Sequence, residues 1–488
     1  SYPIHEKWSA ATMIHGNSRP FQLDHNGDGF VDHPTGNHLV GLQRFKYTRG
    51  NGLESQLGVK VVWLDRVGGQ VDFDPDTPRE EQSYWGSGLN TRRLEGWAKI
   101  GKVFEDKPYA SVGFQLSGMT HRQDAFFGLS DYLADQQSLY ANLIYQSILG
   151  KTNHQYRTGI SFQADSYDES VDMDRYERRE LVPGAFFEYT FNHLDMFTAV
   201  LGMRADYHNL YGAFFTPRIH LRYEPREKTV LRASLGRGQK TASIFAENLG
   251  IFASSRSFFV EQESAELPYG LEAEVAWNYG LNFAQGFQLG ETESVFRLEY
   301  YHTRFTNQVV IDLDRNPQEV HFYNLDGDSW SHSFQAQWDM EPLARYDIRL
   351  AYRLNDVRTT YGETLLPRPL VARHRAFVNM AYETRDQWNF DLTWSWQGAK
   401  RIPSTESNPE PYRLDTSSPA FSLVNLQVGK TLFERLELYA GIENLFGFTQ
   451  EDPILGSDDP FGPWFDASLI WGPVFGRKFY GGLRFRIN

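Results

Sequence analysis

Between Gln387 and Trp396 the chain reads QWNFDLTWSW, with Trp388, Phe390, Leu392, Trp394 and Trp396 alternating strictly with polar residues. A period of two places one set on each face of a β-strand. Three tryptophans and a phenylalanine on one face are heavy for a soluble core. They suit a strand with lipid on one side and a water-filled lumen on the other.

The same alternation recurs along the chain. Early segments are Lys7–Gly16, His38–Arg49, Leu53–Leu64, Arg93–Phe104, Ala110–Thr120, Ser138–Leu149 and His154–Asp165. Next come Leu181–Phe191, Met196–Tyr207, Thr216–Tyr223, Thr229–Leu235, Val275–Phe287, Val295–Asp312, Ser329–Met340 and Asp347–Asp356. Arg373–Tyr382, Asn389–Trp396, Ala420–Lys430, Leu436–Phe446 and Lys478–Ile487 complete the set. No comparable stretch shows a capped helical period, so little helix is expected. Short connections such as Gly50–Gly52 and Thr384–Gln387 alternate with long ones: Asn17–Asn37, Asp65–Thr91, Gln239–Glu274, Thr359–Ala372, Lys400–Pro419 and Gly447–Arg477. Strict short/long alternation is expected of an outer-membrane barrel with tight periplasmic turns and long extracellular loops. The fold class is therefore all-β: one transmembrane antiparallel β-barrel of about 20–22 strands spanning 1–488.

Composition changes the picture little. A mean hydropathy of -0.51 looks soluble, but half of each barrel strand faces water. Aromatics reach 15%, and there is no cysteine, hence no disulfide framework or thiolate chemistry. A net charge of -14 argues against nucleic acid as a partner. No nucleophile elbow, phosphate loop or Cys–His pair is present, so the chain does not read as an enzyme. Ser329, Ser331 and His332 are a chance grouping.

One local motif stands out. In Asp24–Asp32, oxygen side chains of Asp24, Asn26, Asp28 and Asp32 fall at relative positions 1, 3, 5 and 9, and Gly29 falls at 6. Phe30 would offer its carbonyl, giving a candidate extracellular calcium site. Thr35 replaces the bidentate glutamate and no helices flank the loop, so the bland alternative is an Asx-rich turn. His5, His15, His25, His33 and His38 share this region without metal-ligand spacing.

Several segments resemble the TonB-dependent outer-membrane receptors that take up ferric siderophores, haem and corrinoids. Gly441–Phe446 is similar to the family's G-x-E-N-L-F, Gly476–Leu483 to its final strand, and Leu235–Gly238 with Ala246–Asn248 to its mid-barrel region. The resemblance implies energised import of a scarce nutrient, a ferric siderophore or similar metal chelate first. Haem, cobalamin or a plug-less passive channel are the alternatives. It implies the outer membrane of a Gram-negative bacterium, contact with lipid and lipopolysaccharide, and TonB as partner through a plug. Strands begin within ten residues of Ser1, so this chain is expected to be the barrel without that plug. The resemblance also suggests ligand contacts in the apolar loop Gln239–Glu274, at Phe245, Phe252 and Arg256, and at lumen-facing Arg237 and Arg401. The alternatives are self-packing of the loop and pairing of the arginines with acids. His208, His302, His321 and His374 would be axial-ligand candidates under a haem reading, which the segment Asn248–Ile251 does not favour.

Overall fold

The computed structural model describes residues 2–290 and 292–486. A single antiparallel sheet of 23 strands runs through the whole of it. Three of these, Tyr2–His5, Gly212–Phe215 and Thr364–Pro367, are four-residue pieces. The other twenty are the wall, and each overlaps one alternating segment of the sequence. Each long strand pairs with its neighbours in the chain, so the wall is a meander. Helix is confined to four 3₁₀ turns among the described residues.

The two faces follow the alternation. Outward positions form an exposed belt that includes Leu57, Leu94, Leu143, Ile160, Leu201 and Leu281. Trp388 and Phe390 are each 43% exposed. An apolar girdle of this extent around a sheet is a lipid-facing surface. Inward positions are polar, as with Asn379, which donates to Asp391 at 2.9 Å and Thr393 at 3.0 Å.

The two ends of the meander meet at the loops. Phe30, after the first long strand, stacks on Phe465, before the last, at 6.1 Å, and His33 lies 4.5 Å from Phe475 between ring centres. Trp85 joins the first cluster at 4.9 Å from Phe465. Among the described residues, the flanking edges Ala11–Arg19 and Lys478–Phe485 are each paired on one side only. The motif asparagine Asn444 ends its strand at φ 51, and its side chain bonds the Phe448 backbone on both sides. A short amide side chain suits that left-handed turn.

Loop lengths depart from strict alternation. Two outer connections expected to be long are tight hairpins, because Lys107–Phe127 runs directly into Ser130–Leu149, and Lys151–Val171 into Asp174–His193. Above the membrane both faces of a strand are wet. The greasy/polar signal fades there while the backbone ladder continues.

The candidate calcium loop is held by its own hydrogen bonds. Asp24 accepts from the backbone of Gly27 at 2.7 Å and Gly29 at 3.0 Å. Asp28 accepts from Phe30 at 2.8 Å and from Asn26 at 2.8 Å, and Asp32 meets His25 at 2.6 Å. Phe30 turns into the Trp85–Phe465 cluster. The carboxylates thus face amides and a histidine, and among the described residues no group of three or more acidic or histidine ligands converges. These hydrogen bonds are those of an Asx-rich turn. Titrating the folded protein with calcium, or with a chelator, is expected to leave its melting temperature unchanged. A rise on adding calcium would establish the metal site.

Candidate functional site

Two outer loops fold together over the mouth. The segment after Thr229–Lys240 contains the 3₁₀ turn Ala246–Phe252, the strand Ser257–Val260 and the turn Pro268–Gly270. The next outer loop supplies Val309–Asp312 and Glu319–Asn324. Ser257–Val260 pairs parallel with Glu319–Asn324, which pairs antiparallel with Val309–Asp312. Beneath this small sheet, Phe245, Phe252, Val320 and Phe322 are at most 1% exposed. Phe252 sits 4.6 Å from Phe258 and 5.6 Å from Tyr132, at the tip of a wall strand. The apolar loop therefore has a core of its own and is fixed to the wall.

A buried charged network anchors this lid from below. Arg178 projects inward from Asp174–His193, with its side chain 6% exposed. It donates to Tyr269 at 2.6 Å, Ser243 at 2.8 Å and Glu180 at 2.9 Å, and stacks on the Tyr167 ring at 3.8 Å. Tyr269 in turn donates its hydroxyl hydrogen bond to Glu169, which also accepts from Tyr132 at 2.9 Å. Burial, reinforced by the Glu169 carboxylate, pushes the Tyr269 hydroxyl well above its usual range, so it stays a donor. Tyr269 holds φ 55, a conformation that costs a non-glycine residue about 1 kcal/mol or more and that this network maintains. Tyr211 adds a bond to the Leu271 carbonyl at 3.2 Å.

Beside the anchor, on the lumen side, lies a polar cavity of about 460 Å³. Tyr140, Gln163, Arg204, Asp206, His208 and Lys240 line it. Arg204 pairs with Asp206 at 2.6 Å, and Lys240 with Glu247 at 2.7 Å. Such a surface offers many directed donors and acceptors with its charges already balanced. It can hold an oxygen-rich ligand without a fixed counter-charge.

The residues singled out from the sequence are placed elsewhere. Phe245 and Phe252 are lid core and present no surface to a ligand. Arg256 is 5% exposed and bonds Asp466 at 2.8 Å, tying the lid to the loop before the last strand. Arg401 pairs with Asp314 at 2.7 Å. Arg237 shares its face with Leu231 and Leu235, and so points outward to the lipid side, where it donates to the Phe215 carbonyl at 2.8 Å. The structure does not bring the five together. The histidines do not converge either: His208 lies beside Glu180, His321 bonds Glu319 at 2.7 Å, and His302 and His374 face outward. Sequence reasoning missed Arg178, Glu169 and Tyr269. The inward parity of Glu169 and Arg178 was the available signal.

Residues 14–445 match the family model described as TonB dependent receptor-like, beta-barrel. The chain belongs to this family. Its barrel accordingly lies in the outer membrane. The chain is 22% identical over 274 residues to a ferric enterobactin receptor of Pseudomonas aeruginosa, across 50% of this chain and 34% of that protein. That match spans about a third of the relative's length. Among solved structures, a ferric enterobactin receptor mutant from P. aeruginosa superposes with a TM-score of 0.69 at 12% identity, covering 99% of this chain and 76% of the other. The ferripyoverdine receptor of the same organism, bound to ferripyoverdine, gives 0.65 at 13%, covering 99% and 72%. The ferric-catecholate import receptor of Escherichia coli gives 0.69 at 9%, covering 99% and 78%. At such identities the likenesses establish the barrel fold.

Proposed function

We propose that this TonB-dependent receptor barrel imports a ferric siderophore, and that it does no bond chemistry. The observation carrying the reading is the polar, charge-balanced cavity beneath a packed lid of outer loops. A large oxygen-rich chelate needs many hydrogen bonds and an entrance that excludes bulk water. The receptors it resembles, for ferric enterobactin, ferripyoverdine and ferric catecholates, support the same class. In this reading the lid and the inner wall bind the chelate, and TonB, acting through a plug in the lumen, supplies the energy for passage. The four candidate histidines, His208, His302, His321 and His374, do not converge on one another and so give haem no axial pair among them.

The test is growth of a strain lacking its own siderophore receptors, on iron-restricted medium, with and without this gene. Gene-dependent growth on ferric catecholates or ferripyoverdine is expected, and it should disappear without TonB. Growth restored only by haem, or only by cobalamin, would refute the substrate class. Uptake that persists without TonB would point to a passive channel.

A further inference from the structure

The inner wall is not uniform in charge. In the cavity beside the lid anchor, Arg204 and Lys240 each have a carboxylate partner. On the neighbouring strands Tyr346–Tyr361, His374–Glu383 and Trp388–Gln397 that balance is lost. Arg353 and Arg375 are direct cross-strand partners, and Arg375 in turn faces Gln397. Both arginines are inward. Arg375 shares the face of Asn379, and Arg353 alternates with Tyr352, which is 38% exposed on the outer face. Arg375 is the second residue of a strand entered from a long outer connection, and Gln397 ends the next strand. The pair therefore sits at the outer end of the inner wall.

Like charges directly opposite one another destabilise a sheet. Nothing acidic relieves this pair among the described residues. The Arg353 guanidinium donates to the Ser333 hydroxyl at 3.3 Å, and both arginine side chains are exposed to the lumen. The acid in the same cross-strand row, Glu299, lies two strands from Arg353 and accepts from Asn282 at 2.9 Å. Lys400, three residues beyond Gln397, adds a third cation. It donates to the Trp471 carbonyl and lies over the Phe421 ring at 5.5 Å. Burial, with the Arg375 guanidinium nearby, holds its ammonium below the usual range. Lower on the same wall Arg297 and Arg349 share the single carboxylate of Asp339. This local excess of cations stands in a chain whose net charge is -14.

We propose that Arg353, Arg375 and Lys400 form the subsite that takes the negative charge of the imported chelate, so that the substrate class is an anionic ferric complex, with catecholate or carboxylate oxygens, and not a neutral tris-hydroxamate. The inference rests on the import reading above and adds the charge of its substrate. Two guanidiniums on adjacent strands, about 5 Å apart, present paired N–H forks to neighbouring oxygens. An anion between them turns a repulsive pair into a bridged one. Beside Lys400 it favours the charged ammonium as well.

Outer membranes carrying the receptor encoded by the gene are incubated with two iron-labelled complexes: ferric enterobactin, an anionic tris-catecholate, and ferrichrome, a neutral tris-hydroxamate. The parent is expected to bind the anionic complex about tenfold or more tightly than the neutral one, with an affinity that falls as salt rises. R353Q/R375Q should weaken the anionic complex about tenfold and flatten its salt dependence, because charge-assisted contacts carry it. Its binding of the neutral complex should match the parent's. The substitutions remove a like-charge contact, so the melting temperature should not fall. If the double variant is nonetheless lost from the outer membrane, R375Q alone should still reduce anionic binding severalfold. A neutral complex bound as tightly as the anionic one would overturn this inference and leave the import reading intact, whereas binding of neither would remove both. Equal weakening of the two complexes would assign the arginines to the wall. Unchanged binding with raised passive conductance would assign them to a polypeptide in the lumen. Either result overturns the proposal.

Discussion

Replacing Arg178 by methionine is expected to release the lid. The substitution keeps much of the volume but leaves Glu169 and Glu180 buried without their cation. Breaking one side of a buried pair costs about 3–5 kcal/mol. Here the cost falls on the contact between wall and loop, because Tyr269 and Ser243 lose their donor at the same time. Hydrogen exchange of the amides between Ile244 and Leu271 should speed up by at least two orders of magnitude. Exchange in Trp388–Gln397, across the sheet, should not change. Arg178→Lys should rescue only in part, since one ammonium cannot reproduce a fork that meets three acceptors. Unchanged exchange in the methionine variant would show that the apolar core alone seats the loop.

The second large effect is expected from Phe252→Ala. The ring is 1% exposed and packs on Phe258, Tyr132 and Phe127. Truncating such a phenylalanine costs about 3–5 kcal/mol. Limited proteolysis should then cut the lid at lower temperature while the wall keeps its heat-modifiable migration. This variant separates two roles for one residue. A core role predicts loss of protection with no ligand present. A contact role predicts weaker ligand binding with protection intact, and that result would restore the expectation drawn from the sequence.

The wall was legible in the sequence and the lid was not. Strand Trp388–Gln397 could be read residue by residue because its two faces meet two solvents. The alternation weakened where both faces meet water. That is why Lys107–Phe127 reads as Ala110–Thr120 from sequence, and why its hairpin with Ser130–Leu149 reads as a loop. Arg237 is a different case: its parity with Leu231 and Leu235 places it outside, against the lumen-facing expectation. Arg256 shows the opposite case. Its partner Asp466 lies 210 residues away, and no local pattern announces a pair closed by tertiary folding. In the Asp24–Asp32 loop, oxygen spacing alone could not distinguish a cation site from carboxylates already taken by backbone amides.

The tall hairpins make the rim lopsided. Strands between Gly86 and His193 run 19–21 residues, whereas His374–Glu383 and Trp388–Gln397 have ten each. At about 2.5 Å of height per residue for a tilted strand, one flank stands roughly 25 Å above the other. That flank is a parapet, stiffened by continuous backbone pairing. Anything arriving from outside is turned toward the low flank, where it first meets loop connections such as 398–420. Small chelates lose little by this detour. A bulky visitor has a single direction of approach, and the low flank is where its footprint would fall.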